Sequence, residues 1–297
     1  MEKAANRRTD RFETWFILIC QLCLGMFLLV FTSFFLLLLI MGLPRFNWEF
    51  VAGLQSRFPD QSGVLAALSG TFGLVFLVLV MACPLGVLTA VFIQEYGEFS
   101  GNRFIRIFSR ICDSLFSGME AVPSVIYGFL GLVLFAEMMN MGRSLLAAAL
   151  TLSAMAIPII VGNCRKALQE VPQEIRESAI ASGASRVQAV RINVLPFALP
   201  EIVSGTCMAM IRVAGEAAPL LVLGAVSYLT FVPDGLFLPF SALPVEIYNW
   251  TVHPGSGMHA NGASAILLLL PLLLLFNSAA VFVRRKWKRK FEGNQNG

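Results

Sequence analysis

The sequence predicts an all-α integral membrane protein with six transmembrane helices, and three observations predict it. Of the 297 residues, 57% are hydrophobic and only 13% charged, whereas soluble domains run near half apolar and about a quarter charged. The mean hydropathy is +0.75. The apolar excess is gathered into long blocks, the form that a bilayer-spanning helix needs. This composition excludes a disordered chain and an ordinary cytosolic enzyme. The blocks lack two-residue alternation, which excludes a membrane β-barrel.

The blocks place spans at Trp15–Leu43, Val64–Ile93, Ser117–Met138, Ser144–Val161, Ile202–Leu223 and Ala263–Val283. The first two are free of charge over more than the ~20 residues that a span requires. The first, at about 29 residues, is too long for the core of a cleavable leader and is expected to be a span. Residues 1–14 form an N-terminal tail, 15–43 the first helix, 64–283 a core of five further spans, and 284–297 a basic tail. Gly and Pro fall inside many of the blocks, as membrane helices tolerate.

Orientation follows from Lys and Arg. Eighteen of the 22 lie in the N-terminal tail, the 94–116 connection, the 162–201 connection and the C-terminal tail. The opposite side has only Arg45, Arg57 and Arg143, and Arg212 lies within a span. The positive-inside rule places both termini in the cytoplasm. The 224–262 connection is then external. It has no Lys or Arg and is rich in Pro and aromatics. Its length points to a functional loop, and part of it suits docking of an extracytoplasmic partner.

The 162–201 connection is the most informative stretch. Pro172 suits a helix start, and Glu174 and Glu177 complement the positive end of the helix dipole. Ile175, Ala179 and Ser182 share one narrow face. Gly183 is placed to end the helix in a left-handed turn. A second helical stretch over 185–194 leads to Leu195-Pro196 and the next span. Such a helix–turn–helix suits docking against a protein as well as lying on the bilayer surface.

Glu177-Ser178-Ala179, Gly183 and Leu195-Pro196 resemble the E-A-A-x3-G-x9-I-x-L-P signature of ABC importer permeases. Ser178 departs from the first Ala, and Asn193 stands at the usual Ile. The resemblance implies a six-helix, MetI-like permease fold in which this stretch is the cytoplasmic coupling helix, seated in a cleft of an ATPase subunit. Further on, Arg212-Val-Ala-Gly-Glu216-Ala-Ala-Pro219-Leu-Leu, Leu243–Trp250 and Pro123-Ser-Val-Ile-Tyr-Gly128 are similar to the A-type permease of Pst phosphate importers. That resemblance covers roughly residues 65–290. It implies import of inorganic phosphate across a bacterial inner membrane, with a second similar permease, two ATP-binding cassette ATPases and an extracytoplasmic phosphate-binding protein as partners. Neither nucleic acid nor a cofactor is implied.

Arg212 and Glu216 stand four residues apart, so within a helix they share a face and can pair. Counted from Pro200, Arg212 lies ~18 Å along the helix, near mid-bilayer. A charge there costs about 2.5–3.5 kcal/mol on insertion scales and must face water or the bundle interior. The pair is therefore a candidate for the transport path, because a guanidinium fork matches phosphate oxygens. The alternative is a structural ion pair that locks two helices. Glu120 is expected to reach the membrane interface.

Other chemistries find little support. None of the five Lys follows a Gly in the pattern of a P-loop, so ATP hydrolysis is expected of a partner chain. Cys20 and Cys23 form a C-x-x-C inside a charge-free helix, where buried or lipid-facing thiols are expected rather than redox or zinc chemistry. His253 and His259 have no carboxylate at ligand spacing, so no metal site is expected, and no catalytic residue is assigned. A permease for sulfate or molybdate shares the coupling loop. A secondary transporter or channel requires no such loop.

Overall fold

The computed structural model describes residues 2–97, 101–226 and 228–295. Helix α1 (Glu2–Gly42) is followed by the short α2 (Trp48–Ala52). The core is α3 (Leu65–Val91), α4 (Arg103–Glu120), α5 (Ser124–Gly131) and α6 (Leu145–Gln169). Then come α7 (Gln173–Ala181), α8 (Arg186–Ala189), α9 (Leu195–Gly215), α10 (Ala218–Leu223), α11 (Leu243–Val252) and α12 (Ser256–Gln295). Among the described residues, five helical stretches are long and apolar enough to cross a membrane, and a sixth span exists if α4 and the helix after it are taken together.

The core is built on α3 against α6. Ala66, Ala67, Gly70, Ala82 and Ala90 of α3 are buried, as are Ala147, Ala148, Ala149 and Ala156 of α6. In lipid there is little hydrophobic drive between helices, so small residues that allow close backbones hold them together. A Cβ on Gly86 would stand 2.6 Å from Ile160 Cγ2. Pro84 and Pro158 are accommodated inside these helices. By contrast α1 is peripheral: its apolar residues from Trp15 to Ile40 are almost all exposed. It rests on α12 near Gly42, whose carbonyl accepts a 2.7 Å bond from Ser264 Oγ.

Two spans differ from the sequence-based expectation. The third does not start at Ser117. The chain turns by 104° between α4 and the helix that runs from Ser124 through Met138. Glu120 is the last residue of α4, Ala121 caps it, and Pro123 precedes α5 as its N-cap. The 94–116 connection is thus largely helical, because α4 is amphipathic. Arg103, Arg106 and Arg110 line one side, while Phe104, Ile107, Ile111 and Leu115 are exposed on another.

The fifth span is also not a single helix from Ile202 to Leu223. Its helix begins at Arg186 and runs without interruption to Gly215. Pro196 does not break it. The turn over Val190–Val194 is widened, and Leu195 N–H bonds to Val190 O. That widening removes the clash a proline ring makes with the preceding turn. The break comes instead at Glu216, whose backbone is extended (φ −78°, ψ 124°), before α10 resumes.

The 224–262 connection folds back over the helix ends. Leu238 and Leu236 carbonyls accept from Leu145 and Leu146 N–H at 3.1 and 2.9 Å. Ser144 Oγ accepts from Ala147 N–H. The first amides of α6, which have no partner inside the helix, are therefore all bonded. In the same way Thr71 Oγ1 of α3 accepts from Leu243 N–H at 2.8 Å, at the start of α11.

A Cβ at Gly70 would overlap the Ser241 carbonyl oxygen, a backbone atom that cannot yield cheaply. Gly70→Ala should therefore cost about 3 kcal/mol, the upper range of overpacking, read as a lower melting temperature of the detergent-solubilised protein. Gly25 of α1 has nothing within 4 Å of a Cβ, so Gly25→Ala should melt no lower than the unsubstituted protein.

Candidate functional site

The residues singled out in 162–201 come together on one compact unit. Val171 and Pro172 leave α6, and α7 begins at Gln173. Gln173 Nε2 bonds Glu177 Oε1 at 2.7 Å, one turn on. Ala179 is buried against the bundle, whereas Glu177, Ser178 and Ser182 are exposed. Gly183 has φ +85°, the left-handed region that a Cβ disfavours. Its N–H bonds Ile180 O at 2.9 Å, and Ala184 N–H reaches back to Ala179 O at 3.1 Å. These two bonds form a Schellman turn. Ser185 then caps α8 reciprocally with Gln188. Leu195 and Pro196 lie within the continuous helix Arg186–Gly215.

The contact that fixes this unit joins residues far apart in sequence. Arg176 is a neighbour of Glu177 in sequence but points inward. Its Nε bonds Glu95 Oε1 and Oε2 at 3.2 and 3.3 Å, and its second terminal nitrogen reaches Glu95 Oε1 at 2.9 Å. The guanidinium also donates to Val171 O and Leu168 O, both at 2.6 Å. The Arg176 side chain is 15% exposed and that of Glu95 4%. Glu95 lies in a widened turn, Phe92–Gly97, at the end of α3. Next to it, Gln169 Nε2 bonds Gln94 Oε1 at 3.1 Å. The sequence carries a trace of this: Glu95 is the first charge after an uncharged run from Gln61, and Arg176 stands directly before the Glu177 motif. A cavity of about 180 Å³ lies between α7 and the following helix, floored by Glu95, Arg176 and Val194. At the same end, Arg165 of α6 pairs with Asp113 of α4. Arg284 of α12 pairs with Glu201 of α9 at 2.8 Å.

Arg212 and Glu216 do meet, with Nε to Oε1 at 3.6 Å. They do not share a helix face, however. Arg212 lies in the last turn of α9, and Glu216 is the extended residue that ends it. The pair thus marks the break in the span rather than the middle of a helix. The Arg212 side chain is 49% exposed and that of Glu216 17%. Two stretches of Pst-like sequence pack together here: a Cβ on Gly128 of α5 would stand 2.7 Å from Pro219 Cα. Tyr127 beside it donates to Met119 O at 2.7 Å. His259 Nε2 lies 2.7 Å from His253 O. Among the described residues, no three His, Cys, Asp or Glu side chains gather as a metal site would need.

Residues 82–289 match the family described as binding-protein-dependent transport system inner membrane component. A probable ABC transporter permease, YqgI of Bacillus subtilis, is 29% identical over 97% of this chain and 100% of its own. The phosphate transport system permease PstA 1 of Mycobacterium tuberculosis is 31% identical over 82% of this chain and 78% of its own. PstA of Haemophilus influenzae is 29% identical over 89% and 90%. Among solved structures, a bacterial alginate ABC transporter aligns over 94% of this chain and 96% of its own, with a TM-score of 0.66 at 16% identity. The methionine transporter MetNI, in an inward-facing form, aligns over 76% and 94%, with a TM-score of 0.58 at 24% identity. The fold is thus MetI-like, and the chain belongs to the family of binding-protein-dependent transport system inner membrane components, the permease subunits of ABC importers.

Proposed function

We propose that the chain is the A-type permease of an ATP-driven importer of inorganic phosphate. It forms the path with a second, similar permease. It takes its power stroke from two ATPase subunits and its substrate from an extracytoplasmic phosphate-binding protein. Both termini and α7 lie in the cytoplasm. The observation that carries phosphate as the substrate is Arg212, half exposed at a break in a membrane-spanning helix. Together with it stands the similarity to phosphate permeases over more than four-fifths of the chain. A guanidinium exposed within a span is costly against lipid. Facing a second permease across a water-filled path, it attracts an oxyanion. Glu216 holds part of its charge, so phosphate is drawn in without being bound too tightly to leave.

In this reading α7 is the coupling helix. Its exposed Glu177, Ser178 and Ser182 meet the ATPase, Ala179 and Gly183 hold its shape, and Leu195 and Pro196 pass its movement into the span. Arg176 ties it to Glu95.

The path is tested by substitution. Arg212→Gln should lower phosphate uptake by about tenfold or more, the loss of a charged hydrogen-bonding group, with assembly unchanged. Uptake by Arg212→Gln/Glu216→Gln should stay low. Recovery in the double variant would show that the pair is only a helix lock.

Orientation is tested by cysteines placed singly at Ser182 and Thr230 in a cysteine-free background. An impermeant thiol reagent should reach Thr230→Cys in intact cells, and Ser182→Cys only after the membrane is opened. The opposite pattern would remove the coupling role of α7.

Glu95→Gln leaves a buried guanidinium without its counter-ion, which costs about 3–5 kcal/mol. Amide exchange across Gln173–Ala181 should then accelerate while α3 and α6 keep their protection. Unchanged exchange in α7 would mean that the pair does not hold the helix.

A further inference from the structure

Helix α4 has three sides rather than two. At 3.6 residues per turn, Ser109, Cys112, Asp113 and Phe116 fall toward one side, and there the helix is fixed to the bundle. Ser109 Oγ donates to Ile93 O at 3.3 Å, in the widened turn that also carries Glu95. Asp113 pairs with Arg165 of α6. The second side, an arc of ~100°, is apolar, and its Phe104, Ile107, Phe108, Ile111 and Leu115 are all exposed. The third, an arc of ~60°, holds Arg103, Arg106 and Arg110, which are exposed too.

The helix lies across the bundle, not along it. Asp113 meets Arg165, and Glu120 Oε2 is 3.5 Å from where a Cβ on Gly162 would stand. Seven residues of α4, about 10 Å of helix, thus pass only three of α6, about 5 Å. The 104° turn into the helix after it agrees. A helix that crosses the ends of membrane spans in this way runs close to the bilayer surface, here at the end of the bundle that carries α7.

The arginines have no counterpart inside the protein. Among the described residues none of the three is in an ion pair. The helix dipole does not account for them, because Arg103 and Arg106 stand in the first turn, where cations are disfavoured. Orientation calls for positive charge in this connection, but not for its confinement to one stripe. A shallow groove of about 370 Å³ follows the border between the two exposed sides, along Ile107, Arg110, Ile111, Ser114 and Leu115. A guanidinium and a hydroxyl therefore stand beside a run of aliphatic side chains. A protein partner seated there would have to bring carboxylates and an apolar face together. A phospholipid of negative charge carries phosphate and acyl chain in one molecule. A helix with arginine on one side and Phe, Ile and Leu on the other is the form that lies in a membrane interface. Arginine stems cover apolar surface there while their heads reach the phosphates.

We propose that α4 is an interfacial helix that binds anionic phospholipid of the leaflet on the α7 side. Arg103, Arg106 and Arg110 hold the headgroup phosphate, and the acyl chains lie over Ile107, Ile111 and Leu115. Nothing in this surface depends on which substrate the transporter carries.

The test uses the complete transporter in phosphatidylcholine nanodiscs. Phe104→Cys, in a background lacking the six native cysteines, carries a bimane fluorophore on the apolar stripe, outside the groove. Assembly is checked by size-exclusion chromatography, and Leu115→Cys serves if Phe104→Cys does not assemble. Phosphatidylglycerol with brominated acyl chains should quench at a mole fraction about fivefold or more below that of brominated phosphatidylcholine, the gain from a single arginine near an anionic surface. Arg103→Gln/Arg106→Gln/Arg110→Gln should abolish this preference while both lipids still quench. Equal quenching by the two lipids with the arginines in place would overturn the anionic site. A preference that survives the triple substitution would assign it to other cations, with the same consequence. Quenching by iodide alone would put the stripe in water, and quenching by neither lipid nor iodide would put it under a second permease or an ATPase. Either result would overturn the proposal.

Discussion

One guanidinium holds together three segments that the chain sequence keeps far apart. Arg176 satisfies both oxygens of Glu95 and two carbonyls beyond and at the end of α6. Each contact answers a need. The last carbonyls of a helix have no internal partner, and a cation is favoured at that end of the dipole. A carboxylate as buried as Glu95 needs a counter-ion with several hydrogen bonds to offset its desolvation. The planar fork of arginine meets these needs at once, where the point charge of lysine does not. The result is that α3, α6 and α7 form one body at that end of the bundle. Under the proposed coupling role, a push on α7 then becomes a movement of two spans rather than a bend in a loop.

The opposite end follows the same rule with different groups. Non-helical backbone near a bilayer must find hydrogen bonds within the protein. There the 224–242 segment supplies carbonyls to the start of α6, and Thr71 supplies an oxygen to the start of α11. Arg45 braces the loop after α2 against α12. Both faces are therefore shaped by an arginine that binds backbone carbonyls of a connection.

Much of this was legible in the sequence, and the failures have physical causes. Long uncharged blocks mark the spans because a bilayer accepts little else. Gly183 was readable because only a left-handed turn explains a glycine directly after an amphipathic stretch. The expected third span starts too early because the last turn of α4, from Ser117 to Glu120, carries a single charge and adjoins the apolar helix after Pro123. The Arg103, Arg106 and Arg110 spacing and Pro123 were the signs of a separate helix. The fifth span is expected over Ile202–Leu223, but the helix starts at Arg186, because a widened turn absorbs Pro196, and it breaks at Glu216. The clasp between Glu95 and Arg176 joins residues 81 apart, and no local pattern reveals such a partnership. The candidate transport pair was identifiable as two charges in an apolar span, but not as the two sides of a helix end.

The account is tested most directly by the number of ATP molecules hydrolysed per phosphate imported, in proteoliposomes containing the complete transporter with Arg176→Met. Methionine keeps much of the side-chain bulk and removes every donor. If α7 moves the spans through this clasp, hydrolysis should continue while import falls, and the ratio should rise well above that of the unsubstituted transporter. An unchanged ratio with undiminished import would contradict it.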